Sequence, residues 1–263
     1  MPKIGYINWN GTRSDSLGLI VAGAGSYNAA EADATAYEVP GRSGDIIISN
    51  NRFKNIQVVY PAFIPKGLDS QVQAIRNWMR STDGYARLED NYDTTHYRMA
   101  RPVGVLEINP EHRNDGANLQ LVFDCKPQRF YRNDYYEPTL GSSIINPTPF
   151  PAYPIFRVWS PFQNDSIEMR FWTLGGTEFA IYEFRFTQTI MDKQVVIDTE
   201  TQNVYQYNGT ETYNDIVTCS KESGGTYVPA DWPAIPGNTR AIFNWSFTDP
   251  LTDLKVTARW WEL

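Results

Sequence analysis

Residues 118–124 read NLQLVFD, and the spacing of the apolar side chains in that stretch decides the fold class. Leu119, Leu121 and Phe123 recur at every second position, which places them on one face of an extended chain. The same period returns at 166–172, where Ile167, Met169 and Phe171 share one face and Glu168 and Arg170 lie opposite. Both stretches are predicted to be half-buried strands of antiparallel sheets.

Composition extends that prediction to the whole chain. Of 263 residues, 41% are hydrophobic and 14% aromatic, while 17 Pro and 18 Gly cut the sequence into short pieces, the profile of a β-rich protein. The length suffices for two domains that each bury a core. Residues 68–81, LDSQVQAIRNWMRS, break the β pattern. There Val72, Ile75 and Trp78 or Met79 recur at helical spacing, Asp69 or Ser70 can cap the first turn, and Gly84 follows, so one amphipathic helix is predicted. Pro138, Pro147, Pro149, Pro151 and Pro154 then crowd one stretch, which reads as a linker or an edge segment. The expected organisation is a domain over 1–136, a Pro-rich linker over 137–153 and a second domain over 154–263. No internal repeat of fixed period is visible.

Charge and targeting narrow the function classes. The net charge is −7, with no stripe of Lys or Arg, whereas a protein that grips phosphates needs concentrated positive charge. Direct nucleic-acid binding is disfavoured. No basic segment followed by an apolar one opens the chain, and the longest apolar run, 17–25, is far short of a membrane span of about 20 residues. The chain is expected to be made in the cytosol and to stay there or leave without a signal, with no membrane contact. Cys125 and Cys219 form no disulfide framework and read as ordinary buried or half-buried thiols.

No catalytic constellation emerges. The run 88–93, LEDNYD, lacks the ligand register of a calcium loop and reads as a solvated Asx-rich turn between strands. A glycosidase needs two carboxylates facing each other across a cleft, and adjacency in sequence supplies no such pair. His96 and His112 lie far apart without partners at metal-ligand spacing; 111–116 reads as the polar tip of a hairpin. Gly23-Ala24-Gly25 lacks the third glycine of a dinucleotide loop, and no phosphate loop is present. No catalytic, metal or cofactor-binding residue is assigned. The C-terminal half is rich in aromatics, among them Trp159, Phe162, Phe171, Trp172, Tyr182, Phe184, Phe186, Tyr205, Tyr207, Trp232, Phe243, Trp245, Trp260 and Trp261. Such rings can stack on sugars, but they also dominate β cores and protein interfaces.

At 36–53, AYEVPGRSGDIIISNNRF, a strand-like run meets a turn at Pro40-Gly41-Arg42, a second turn at Ser43-Gly44-Asp45, and three isoleucines. Taken with the helix at Ile75 and Trp78, with DGYARLEDNYDTTHYRMA at 83–100 and with LVFDCKPQRFYR at 121–132, this stretch resembles the distal tail protein (Dit) of long-tailed bacteriophages. The likeness spans the first 132 residues. Downstream, Val195-Val196-Ile197-Asp198 leading into Asn203-Val204-Tyr205, Pro236-Gly237-Asn238 before a strand, and Arg259-Trp260 are similar to the family's second domain. Where the family has a glycine-rich turn, this chain has Trp159-Ser160-Pro161-Phe162.

The resemblance implies a mainly β protein: an N-terminal β-barrel-like domain with one α-helix, followed by a C-terminal galectin-like antiparallel β-sandwich. It also implies a non-enzymatic component of a phage tail tip or baseplate. The N-terminal domains would form a homo-hexameric hub ring between the tail tube protein and a tail-associated fibre, lysin or baseplate receptor-binding protein. The location would be the virion, with assembly in the host cytoplasm. DNA would pass through the ring without binding, since negative charge repels phosphates within about 8 Å at physiological salt. Rigid Pro-Gly corners limit angular slack at a ring contact, so Val39, Pro40, Gly41, Arg42 and Asp45 are expected to border a neighbouring protein. The alternative is a carbohydrate-binding module whose aromatics contact host cell-wall saccharide.

Overall fold

A computed structural model describes residues 5–22, 29–111 and 116–263. The glycine pair at 23–25 and the hairpin tip with His112 lie outside the described residues. The chain divides into two compact units, residues 1–132 with Leu263, and 133–262.

The first unit is built on one antiparallel sheet. Its strands are β1 (Ile7–Trp9), β2 (Thr12–Arg13), β3 (Ile20–Val21), β6 (Ile56–Ile64), β7 (Ala86–Asp90), β8 (His96–Pro102), β9 (Ile108–Glu111) and β10 (Gly116–Tyr131), alongside a separate pair, β4 (Ala32–Tyr37) and β5 (Ile46–Phe53). The spatial order is β2-β1-β7-β8-β10-β6-β3. β6 runs along one edge of β10, from Ala117 opposite Ile64 to Cys125 opposite Ile56. β9 and then β8 take the other edge, with a register shift between Cys125 and Arg129. The sheet curls until its ends meet: Val21 N–H donates to the Gly5 carbonyl at 3.0 Å, just ahead of β1. That bridge makes the sheet barrel-like.

Alternation predicts the buried face of β10, and Leu119, Leu121 and Phe123 are at most 3% exposed. Trp9 and Tyr60 pack against Phe123, with ring centroids 5.3 and 6.1 Å away. The helix α1 (Leu68–Met79) buries Ile75, Trp78 and Met79 against the same core. Its cap differs from expectation. Gly67, at φ 74°, occupies the N-cap, and the Ser70 hydroxyl donates back to the Gly67 carbonyl at 2.8 Å instead of accepting from the first turn.

The acidic run at 88–93 ends β7 and opens the turn to β8, but it is far from solvated. Asp90 is buried and accepts the Tyr60 hydroxyl at 2.8 Å, and it also caps the amides of Tyr92 and Asp93. Asp93 receives the Arg129 guanidinium at 2.6 Å and the Thr95 hydroxyl at 2.8 Å. Arg132 donates to the carbonyls of Asp90, Asp93 and His96, bracing the loop from behind. The turn is a structural knot.

The second unit is an antiparallel β-sandwich. One sheet orders β11 (Tyr135–Tyr136), β21 (Leu254–Thr257), β13 (Ile155–Trp159), β16 (Gln194–Asp198) and β17 (Asn203–Gln206) as β11-β21-β13-β16-β17. The other orders β12 (Ser143–Ile145), β20 (Thr239–Ser246), β14 (Ser166–Thr173), β15 (Glu178–Phe186), β18 (Val217–Ser223) and β19 (Thr226–Pro229) as β12-β20-β14-β15-β18-β19. Phe156 of the first sheet meets Phe184 and Phe243 of the second, at 5.5 and 5.9 Å between ring centroids. Ile167, Met169 and Phe171 point into that core, as their spacing predicts.

The Pro-rich stretch read as a linker over 137–153 lies within this second unit. It supplies the edge strand β12, where prolines to either side cost no interior hydrogen bond. The fully buried Asn146 ties it down, donating to the carbonyls of Phe150, Ile235 and Pro236. Gly237 is required there, because a Cβ would collide with the Pro149 carbonyl. At Trp159-Ser160-Pro161-Phe162, Ser160 itself adopts the left-handed conformation, φ 48°, that a glycine-rich turn would supply.

Candidate assembly interface

The β4–β5 ribbon is the one sheet of the first unit whose strands pair only with each other among the described residues. Every residue from 34 to 52 is exposed. At its tip, Arg42 N–H donates to the Val39 carbonyl at 3.1 Å across Pro40 and Gly41, and Gly41 takes φ 81°. Proline followed by a glycine at positive φ fits a type II turn. Gly44, at φ 85°, makes the second bend. The expected interface residues Val39, Pro40, Gly41, Arg42 and Asp45 are thus brought together, all exposed, at one projecting tip.

Sequence reasoning missed the stem behind the tip. Register sets Tyr37 opposite Ile46 and Thr35 opposite Ile48, so Tyr37, Ile46 and Ile48 share one face, while Ile47 shares the other with Ala36. Tyr37, Ile46, Ile47 and Ile48 are 53, 41, 71 and 53% exposed. Isolated apolar side chains on a surface are ordinary, but a contiguous group marks a contact surface. The signal in the sequence was ambiguous: three successive isoleucines leave neither strand face polar, which suits burial in a core and an interface equally.

Burial pushes the Cys125 and Cys219 thiols up to about 12, and both are free. No group of three or more His, Cys, Asp or Glu side chains among the described residues could hold a metal ion. No helix there is long and apolar enough to cross a membrane. Of the C-terminal aromatics, Phe171, Phe184, Phe186, Phe243 and Trp260 are buried in the core, whereas Trp159 and Tyr207 are exposed.

Both units and their order match solved phage structures. The chain has the fold of a Dit hub protein. Across 99% of this chain and 100% of the other, it matches the crystal structure of Dit from phage SPP1, a hub of the adsorption apparatus in phages infecting Gram-positive hosts, with a TM-score of 0.64 and 12% identity. It also matches a chain of the phage P2 baseplate in its calcium-activated conformation, over 97% of this chain and 98% of that one, at a TM-score of 0.53 and 11% identity. The strontium form of that baseplate matches at 0.50 and 11% identity, covering 96% and 97%. No model of a protein family matches the chain. No curated protein matches it either. At such identities the likeness is one of fold, and it bears out the mainly β class and the distal-tail resemblance read in the sequence.

Proposed function

We propose that this chain is a structural, non-enzymatic component of a phage tail tip, and that its first unit forms a hexameric hub ring. The ring joins the tail tube protein to a tail-associated fibre, lysin or baseplate receptor-binding protein. Assembly takes place in the host cytoplasm and the mature location is the virion. The observation that carries this reading is the uncovered apolar stem, Tyr37 with Ile46, Ile47 and Ile48, behind the rigid Val39–Asp45 tip. Hexamers built from one repeated contact need such a surface on every copy. The phage neighbours support the tail-tip setting through the shared fold alone. Light scattering with negative-stain imaging tests it: ring particles of about 181 kDa, six times 30.1 kDa, are expected, and an invariant 30.1 kDa monomer in the presence of the tail tube protein refutes the ring.

A second reading has one observation in its favour. Register puts Trp159 opposite Gln194, and Tyr207 N–H donates to the Gln194 carbonyl at 2.8 Å, so two exposed rings flank one amide on the sheet's outer side, with Arg157 5.2 Å from the Tyr207 ring. That row suits a cell-wall saccharide. Tryptophan-quenching titration with host wall polysaccharide tests it, and an unchanged emission refutes it.

A further inference from the structure

The outward face of the sheet β11-β21-β13-β16-β17 gathers positive charge as well as rings. Register sets Arg157 of β13 directly opposite Lys255 of β21 on one side and opposite Val196 of β16 on the other. Two cations directly opposite across an antiparallel pair repel each other. Little on this face offsets them. Arg157 donates to the Thr257 hydroxyl at 3.1 Å, its Nε–H meets no acceptor, and it makes no ion pair among the described residues. Lys255 reaches the exposed carboxylates of Glu137 and Asp253 at 3.8 and 3.5 Å, surface pairs of small worth. Asp198, on the same face, is taken up by Arg259 at 2.8 Å. Val196 is buried, so the stem of Arg157 packs over the sheet, a task that needs no charge. Beside this cation pair stand Trp159 and Tyr207, 42 and 43% exposed.

We infer that this face takes an acidic saccharide, whose ring stacks on Trp159 or Tyr207 while its carboxylate or phosphate meets Arg157 and Lys255. This rests on the saccharide reading and names the ligand class of the same site. Charge complementarity selects the occupant: a neutral polysaccharide leaves two opposed cations uncompensated, whereas an acidic one relieves their repulsion on binding. A guanidinium suits either acid, because its fork of N–H donors matches carboxylate and phosphate oxygens. Arg157 and Trp159 lie two residues apart on one strand face, about 7 Å, so one acidic sugar unit can reach both. Gln194, opposite Trp159, adds a neutral amide that can donate to and accept from sugar hydroxyls.

Calorimetric titration of the full chain at low salt tests it. Oligogalacturonate against its methyl ester, and phosphorylated dextran against plain dextran, each present one sugar with and without charge. Glycerol-phosphate oligomers carry charge without a ring. In at least one pair the acidic form should bind about tenfold tighter or more, the worth of one hydrogen bond to a charged group, and the pair that responds tells carboxylate from phosphate. Arg157→Gln should bring that preference below about twofold. Because Arg157 also packs over the sheet, Lys255→Gln on the rim provides a second variant, and it too should weaken the preference. Equal binding of charged and neutral forms in both pairs, or a preference unchanged in both variants, overturns the inference and leaves the saccharide reading standing. Glycerol-phosphate oligomers binding as tightly as the acidic sugars overturn it as well, since the site would then hold charge alone. So does the absence of binding by every probe, while the saccharide reading is decided separately by its titration with wall polysaccharide.

Discussion

Gly5 and Val21 close the first unit's barrel: the Val21 amide donates to the Gly5 carbonyl at 3.0 Å, and the two backbones approach so closely that a Cβ on Gly5 would collide with the Val21 carbonyl and the Tyr92 hydroxyl. Because one of the obstacles is backbone, a larger residue cannot be relieved by a rotamer change. Gly5→Ala should cost about 2–3 kcal/mol, in the range of overpacking in a filled site. Urea unfolding checks this; an unchanged midpoint would show that the closure is dispensable.

The Asp93 knot carries the pH dependence. Partial burial pushes the Asp93 carboxyl up, but Arg129, the Thr95 contacts and His96 outweigh it and hold the group well below the usual carboxylate range. A folded-state pKa depressed below the unfolded one gives stability that is present above about pH 4 and is lost as pH falls toward the folded value. Asp93→Asn should destabilise the protein by about 2 kcal/mol at pH 7 and flatten the loss between about pH 4 and pH 2. Unfolding midpoints of both proteins across that range decide it, and parallel curves would rule the carboxylate out as the source.

Trp78 fastens the helix to the strand below it. Its indole N–H lies 3.3 Å from the Trp9 carbonyl and 3.2 Å from that of Thr12. Trp78→Phe keeps a ring in the core but removes the donor, leaving acceptors over a buried site unsatisfied, and should cost about 2 kcal/mol. Thermal unfolding measures the loss; a variant within about 0.5 kcal/mol of the parent would mean that the ring alone holds α1.

How far the sequence could be read depends on how local each cause is. The period of two at 118–124 and 166–172, and the helical spacing of Val72, Ile75 and Trp78, are set by neighbouring residues, and strand faces and helix follow from them. The Gly67 cap escaped because Asp69 and Ser70 are equally plausible caps by residue type, and only the left-handed backbone at Gly67 decides. The Gly5–Val21 closure, the burial of Asp90 under Tyr60 and the knotting of Asn146 to the 235–236 carbonyls all join residues far apart in sequence. The interface tip was legible through its turn chemistry. Its stem was not, because three isoleucines in a row suit a core as well as a contact surface.

Both thiols should be silent in the folded protein. Burial raises Cys125 and Cys219 to about 12, so the reactive thiolate is scarce at pH 8 as well as shielded. Titration with a thiol reagent such as dithionitrobenzoate should read almost no reaction in the native protein and both thiols in urea. Rapid native labelling would reveal an opening of the barrel or of the sandwich edge.

Gly41 connects turn geometry to assembly. Nothing lies within 4 Å of where its Cβ would stand, so no clash restricts the site; the constraint is φ 81° itself. A β-branched residue resists that region, and left-handed backbone costs an L-residue about 1–2 kcal/mol. Gly41→Val should therefore leave the two cores and the unfolding midpoint nearly intact while re-aiming the tip, because the ribbon's strands pair only with each other among the described residues. A ring magnifies that small change. Its contact recurs between all neighbours, and an angular error at each accumulates around the cycle until the last pair fails to meet. Closed rings should fall in yield, with open arcs or monomers in their place on negative-stain grids. Gly41→Asn, which tolerates positive φ, should retain most of the yield. Valine rings at parental yield would remove the tip from the ring contact.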